Sequence, residues 1–268
     1  MHAEIDGRAA DLIIPVHNQY PLTRNLLETI YRHTDIPFHI YLIDNASADE
    51  TVDLHKIYTR DITVVRNRVH QSWRGSINQG IRLGANPYVV FMDNDIEVSQ
   101  GWLGNLTAFL DTHPRIGAVG PLNSNPDSWQ FIDHVRGTLV PQIPEFLTAD
   151  MHQRNRVLKY HFHRAGILVE NLLDFSCVAL TRRALAAVGW LDETGAREGD
   201  GESYCRRLRK AGYVLGLSLD TYVVHSAAAA NKSDAGSVRH DEFSKIEVGH
   251  NGKKEVFTAR TCIPCRGH

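Results

Sequence analysis

The sequence predicts an α/β fold: a doubly wound, mostly parallel sheet flanked by helices, in a single domain. Three observations lead there. Apolar runs rich in β-branched residues alternate with helix-period segments as far as residue 120. The connections between them are short, as parallel strand–helix units require. The chain has 268 residues and is 43% hydrophobic, enough for one large core.

The elements follow in order. "DLIIPV" (11–16) reads as a strand. "PLTRNLLETIYRH" (21–33) reads as a helix, with Leu22, Leu26, Leu27, Ile30 and Tyr31 on one face and Pro21 in the first turn. "FHIYLIDN" (38–45) is a second strand. "SADETVDLHKIY" (47–58) reads as a helix, with Ser47 and Glu50 at capping-box spacing. "ITVVR" (62–66) is a strand, "SWRGSINQGIRLG" (72–84) a helix, and "YVVFM" (88–92) a strand. "WLGNLTAFLDTH" (102–113) is a helix and "IGAVG" (116–120) a short strand. Residues 121–171, rich in Pro, Asn and Asp, read as long excursions. The pattern resumes with a strand over 172–181, the short helix "RRALAAVGW", a helix over 202–212 and strand over 213–225. In the 202–212 helix Tyr204, Cys205, Leu208 and Ala211 should face inward. Residues 226–268 form a polar tail, with no core of its own.

In such sheets ligands bind beyond the carboxyl ends of the strands. Those ends read His17-Asn18, Asp44-Asn45, Arg66-Asn67 and Asp93-Asn94-Asp95. All are polar and can converge on one crevice. Two carboxylates one residue apart at the end of a buried strand are costly without a cation. A solvated polar loop is the plain reading of Asp93 and Asp95. A divalent-metal site for a phosphorylated ligand is the functional one.

Bulk properties narrow the partners. The net charge of −2 and pI near 6.7 carry no basic surplus for nucleic acid. No apolar run reaches the roughly 18 residues of a membrane span, and the first residues lack a signal peptide's order. A cytoplasmic protein is expected, with peripheral membrane contact left open. Cys177 and Cys205 read as core residues. Cys262 and Cys265 form one CxxC, which without a second pair favours a reduced thiol pair over zinc.

The order of motifs resembles family 2 glycosyltransferases of the GT-A fold, over roughly residues 11–225. The stretches that carry the resemblance are "IIPVHNQYPLTRNLLETI", "LIDNASADET", "RNRVHQSWRGSINQGIR", "FMDNDIEV", "CVALTRRALAAVGWLDE" and "YCRRLRKAGY". Singly each is weak; six in order are specific. The resemblance implies an inverting transfer of sugar from a nucleotide-diphosphate sugar, with a divalent metal (Mn2+ or Mg2+). It makes 11–120 a nucleotide-binding half and 121–225 an acceptor and catalytic half. The tail from 226 becomes a candidate lid. Asp95 is implied as metal ligand, Asp93 as ligand or ribose contact, and His225 as a late metal ligand. Asp44 matches the residue that binds the nucleotide base. Pro15, Val16 and Asn18 shape the same wall. Asn94, Arg74 and Asn78 join the nucleotide-sugar set, Arg74 toward phosphate. Gly80 completes the family's Asn-x-Gly, or simply lets the helix approach the sheet. Trp190 stands on the acceptor side or in the core. The donor implied is a UDP- or dTDP-sugar; the acceptor is unidentified.

The sequence departs from the family at the catalytic base. Alignment on Tyr204-Cys205 puts Gly201 at the usual base, with Asp200 and Glu202 flanking it. Either carboxylate is a candidate base. The departure keeps a second hypothesis alive, a nucleotide-sugar-binding relative without transferase activity. Nucleotidyl transfer fits poorly, because "PVHNQYP" has no glycine to cradle a triphosphate.

Overall fold

A computed structural model describes residues 7–125, 128, 130–132, 150–169, 173–194, 200–226, 246–250 and 253–257. The elements are β1 (Ala10–Val16), α1 (Tyr20–His33), β2 (Phe38–Asn45), α2 (Leu54–Ile57), β3 (Ile62–Asn67), α3 (Trp73–Leu83), β4 (Tyr88–Met92) and β5 (Ile96–Val98). Then come α4 (Trp102–Thr112), β6 (Ile116–Asn123), α5 (Met151–Phe162), β7 (Gly166–Val169), β8 (Cys177–Thr181), α6 (Arg182–Val188), α7 (Asp200–Lys210) and β9 (Val214–His225). Strands β10 (Ile246–His250) and β11 (Lys253–Phe257) pair with each other, antiparallel.

One sheet runs β3-β2-β1-β4-β8-β6-β9-β5, with β7 also on β9. β3, β2, β1 and β4 pair in parallel. β8 lies antiparallel to both β4 and β6, and β6 is parallel to β9. So β1, β2, β3, β4, β6 and β9 all point one way, and the sheet is mostly parallel as expected. β1 is buried along its whole length, because both faces are covered. Leu12 and Ile14 pack with Leu26, Leu27, Ile30 and Trp102 on one side. Ile13 packs with Ile77, Ile81 and Tyr204 on the other. Gly80 sits where an added Cβ would lie 2.4 Å from Ile13 Cγ2, so its absence lets α3 press on β1.

Several boundaries differ from the sequence reading. The helix expected over 47–58 is a 3-10 turn at Glu50–Asp53 and a single α-turn. Ser47 is not its cap. Its hydroxyl accepts from Asn18 N at 2.8 Å, and its own N–H donates to Asp44 Oδ1 at 2.9 Å. Ser47 thus stitches β1 to β2, and capping passes to Asp49, which accepts from Thr51 N at 3.1 Å. The strand expected from 172 begins at Cys177. Asp174 Oδ1 accepts from Ser176 N at 2.9 Å, an Asx turn that bends the chain out of the ladder. Residues 121–171 are not all excursion: β6 runs on to Asn123, and α5 and β7 follow. Asp150 and Gln153 cap α5 reciprocally, and Leu158 and Ile167 enter the core. Ala211 is exposed, because α7 ends at Lys210 and Gly212 turns the chain at φ +86°. Cys177 and Cys205 are buried and free. Cys262, Cys265 and most of the candidate lid lie outside the described residues.

Candidate functional site

The carboxyl ends of the strands build the site. β4 ends at Met92, and Asp93 and Asp95 follow in a tight turn before β5. β5 pairs with β9 so that Ile96 faces His225. This register brings Asp93, Asp95 and His225 together, with one ligand atom from each inside a 4.8 Å sphere of mutual distance. His225 Nε2 lies 3.3 Å from Asp95 Oδ2. That oxygen is buried without an aligned hydrogen bond, as is His225 Nδ1. Burial pushes the His225 imidazole down, but the carboxylates of Asp95, Asp174 and Asp93 outweigh it and raise its pKa. Two carboxylates and an imidazole, with buried polar atoms unsatisfied, are a donor set that a divalent cation would complete.

Neighbours hold these groups in place. Trp73, in the first turn of α3, donates its indole N–H to Asp93 Oδ1 at 2.9 Å. Ser124 grips the backbone of His225 in both directions, accepting at 2.9 Å and donating at 3.3 Å. Asn94 turns toward α1 and donates to Thr23 Oγ1 at 3.0 Å.

Beside the trio lies a cleft of about 320 Å³, lined by Pro15, Val16, His17, Asn45, His70, Trp73, Arg74 and Glu193 among others. His17 and His70 meet edge-on there, ring centroids 4.6 Å apart. Asp44 is buried beneath the strand-end turn and lies 3.4 Å from Arg66 Nη1. Asn18 adopts a left-handed backbone, φ 57°, and its Oδ1 accepts from Ala48 N at 2.8 Å.

Other expected residues have structural partners. Arg74 donates to the Asp192 carbonyl at 2.9 Å. Asn78 is buried and clamps Leu191, accepting from its N–H and donating to its carbonyl, each at 2.9 Å. Trp190 is 48% exposed and stacks under the Arg82 guanidinium, 4.3 Å from its ring centre. Arg82 stands nine residues along α3 from Trp73, about 13 Å by helical rise, so Trp190 is set toward the helix's far end. Glu202 is exposed and pairs with Arg206 at 2.7 Å. Asp200 opens α7; its side chain is outside the described atoms.

Two residues of the site escaped the sequence reading, Trp73 and Asp174. Each had a signal. Trp73 follows Ser72, which caps α3 by accepting from Gly75 N at 3.0 Å, so it must lie at the strand-end rim. Asp174 stands two residues before Ser176, the spacing of an Asx turn.

The family model described as "Glycosyl transferase family 2" matches residues 11–184. The chain belongs to glycosyl transferase family 2. Curated relatives of this family 2 chain include the uncharacterized glycosyltransferase YibD of Escherichia coli (strain K12). It is 27% identical over 176 residues, covering 61% of this chain and 51% of the relative. A PGL/p-HBAD biosynthesis glycosyltransferase of Mycobacterium bovis is 26% identical over 106 residues, covering 38% and 41%. The chain thus spans about half the length of these relatives, or less. Among solved structures, the mannosyltransferase PcManGT of Pyrobaculum calidifontis, in complex with GDP-Man and Mn2+, matches with a TM-score of 0.54. The identity is 19%, over 81% of this chain and 56% of that one. GalNAc-T7 with UDP, GalNAc and Mn2+ matches at 0.61, with 14% identity over 81% and 43%. At such identities the likeness establishes the fold, which is GT-A.

Proposed function

We propose that this family 2 chain moves a sugar from a nucleotide-diphosphate sugar to an acceptor hydroxyl, with inversion and with a divalent metal. The observation that carries the reading is the Asp93–Asp95–His225 trio beside the cleft of β1, β2 and α3. Asp95 and His225 would hold the ion, and Asp93 would complete the set or hold a bound water. Such an ion supplies a Lewis acid to the departing diphosphate. The imidazole favours Mn2+, because Mg2+ prefers oxygen ligands alone. Trp73 fixes the Asp93 carboxylate. Pro15, Val16 and Asn45 would form the wall for the nucleoside, with His17 and His70 at its edge. Asp44 would stiffen that wall through Ser47 and Arg66. A UDP- or dTDP-sugar is the donor favoured by the family resemblance, and residues from the 121–225 half would meet the acceptor.

A second reading has one observation in its favour. Gly201 occupies the family's base position, so the chain could bind donor without turning it over. One experiment separates the two. Thermal melts with UDP, dTDP and GDP, each with and without Mn2+, should show a metal-dependent shift for UDP or dTDP. Donor hydrolysis by the responsive class should stop with chelator. Binding without any hydrolysis or transfer selects the second reading. No metal-dependent shift with any of the three nucleotides sinks both.

A further inference from the structure

A side chain at the base position of the family motif would crowd its neighbours in this chain. A Cβ at Gly201 would lie 2.8 Å from the Phe175 ring and 3.0 Å from the Leu173 carbonyl. Phe175 is itself buried against Phe91 and Tyr204. The ring therefore occupies the space a side chain at 201 would need, and the residue next to the ring is Asp174.

Asp174 is tied to both halves of the metal trio. Its Oδ1 accepts from Ser176 N at 2.9 Å, and the Ser176 carbonyl accepts from Asp93 N at 2.8 Å. Its Oδ2 accepts from Asn123 Nδ2 at 3.2 Å, and the next residue, Ser124, grips the His225 backbone. The Ser176 backbone and Asn123 at the end of β6 thus hold this carboxylate, and through Ser176 and Ser124 the same turn is tied to the ends of β4 and β9. The carboxylate is nevertheless outside the set of ligand atoms that converge on one point. That is the placement a base needs: beside the reacting centre, yet not neutralised by the cation. Each carboxylate oxygen has a second lone pair beyond the bond it accepts. Glu202, by contrast, is exposed and engaged with Arg206.

We infer that Asp174 is the catalytic base of this chain, taking over the role that Gly201 cannot perform. This rests on the transferase reading above. In the step, the acceptor oxygen bonds to the anomeric carbon as its proton passes to the Asp174 carboxylate. The bond from that carbon to the diphosphate oxygen breaks, and the electron pair leaves on the diphosphate.

The test compares wild type with D174N, D174S and E202Q. D174S guards against misfolding: its hydroxyl still accepts from Ser176 N, and it leaves room for the Asn123 amide. Two quantities are read. One is UDP affinity with Mn2+, by calorimetry. The other is metal-dependent hydrolysis of UDP-glucose and dTDP-glucose, in which water is the acceptor. Both Asp174 variants should bind UDP and Mn2+ within about threefold of wild type. Hydrolysis should fall by about 10²–10⁴-fold, with formate partly restoring D174S as an external proton acceptor. E202Q should hydrolyse like wild type. Hydrolysis by D174S within a few-fold of wild type overturns the assignment. So does a collapse of UDP–Mn2+ affinity, which would make Asp174 part of the binding site. A wild type that binds UDP with Mn2+ but hydrolyses neither donor removes the transferase reading itself.

Discussion

Trp73 Nε1 donates to Asp93 Oδ1 at 2.9 Å, joining the first turn of α3 to the acidic turn after β4. A neutral donor on one oxygen fixes the orientation in which the Asp93 carboxylate would meet a cation. Outer partners of this kind commonly govern metal affinity by about 10–100-fold. Trp73→Phe keeps most of the ring and deletes the donor. It should weaken Mn2+ binding by about tenfold, with the metal-free melting temperature little changed. Wild-type Mn2+ affinity in this variant would mean that the indole does not orient the site.

Asp95 tests the trio directly. It is 4% exposed, and its Oδ2 lies beside His225 without an aligned hydrogen bond. Asp95→Asn removes a buried charge, so the metal-free protein should melt at or above the wild-type temperature. Saturating Mn2+ at 100 times its dissociation constant stabilises wild type by about 2.7 kcal/mol, and the variant should show almost none of this. A full Mn2+-induced shift in Asp95→Asn would take Asp95 out of the ligand set.

Asp49 gives a pH-dependent test of the strand-end turns. Burial tends to raise its carboxyl pKa, but hydrogen bonds from Thr51 and from the Tyr20 backbone win and hold it below the ordinary range. A depressed folded pKa means stability present above the unfolded value of about 4, lost as pH falls through the folded value. Asp49→Ala should cost about 1 kcal/mol at neutral pH, the usual worth of such a cap. Asp49→Asn should cost less, and its gap from wild type should close below about pH 4. Urea melts at pH 7 and pH 3 measure both, and a gap that widens in acid contradicts the assignment.

The centre of the sheet was legible because β1 and β4 are buried on both faces. Continuous runs such as "YVVFM" have no other stable place. The strand ends were legible for the same reason: a polar cluster straight after such a run must lie at the rim. Elements defined by distant pairing were not. β5 is three residues held by pairing to β9 across more than a hundred positions, and no local pattern announces that. The 47–58 helix failed because Ser47 has a better partner at Asn18 than in its own turn. Asp93 and Asp95 stood out as two carboxylates at a strand end, and His225 was named through the family resemblance. Trp73 and Asp174 come to the site only through tertiary contacts, so they stand out once α3 and the turn before β8 are set against β4. Asn78 shows the converse, a motif residue whose amide is committed to Leu191 and Glu193.

Asn78 therefore carries the last prediction. Its Oδ1 accepts from Leu191 N, and its Nδ2 donates to the Leu191 carbonyl and, at 2.7 Å, to Glu193 Oε1. Leu191 is buried, so its backbone has no water to turn to. Asn78→Ala strands one buried N–H and one buried carbonyl, and should cost about 1–3 kcal/mol. Asn78→Asp keeps the acceptor for Leu191 N. It also replaces the amide donor with an oxygen aimed at a carbonyl and a carboxylate, so at neutral pH it should be the less stable of the two. Lowering the pH protonates the new carboxyl and restores a donor, so Asn78→Asp should recover stability relative to Asn78→Ala. Because Glu193 lines the cleft, both variants should also loosen UDP binding. Denaturant midpoints at pH 7 and pH 4.5 order the three proteins. An Asn78→Asp protein as stable as wild type at pH 7 would show that the clamp on Leu191 is not what this residue supplies.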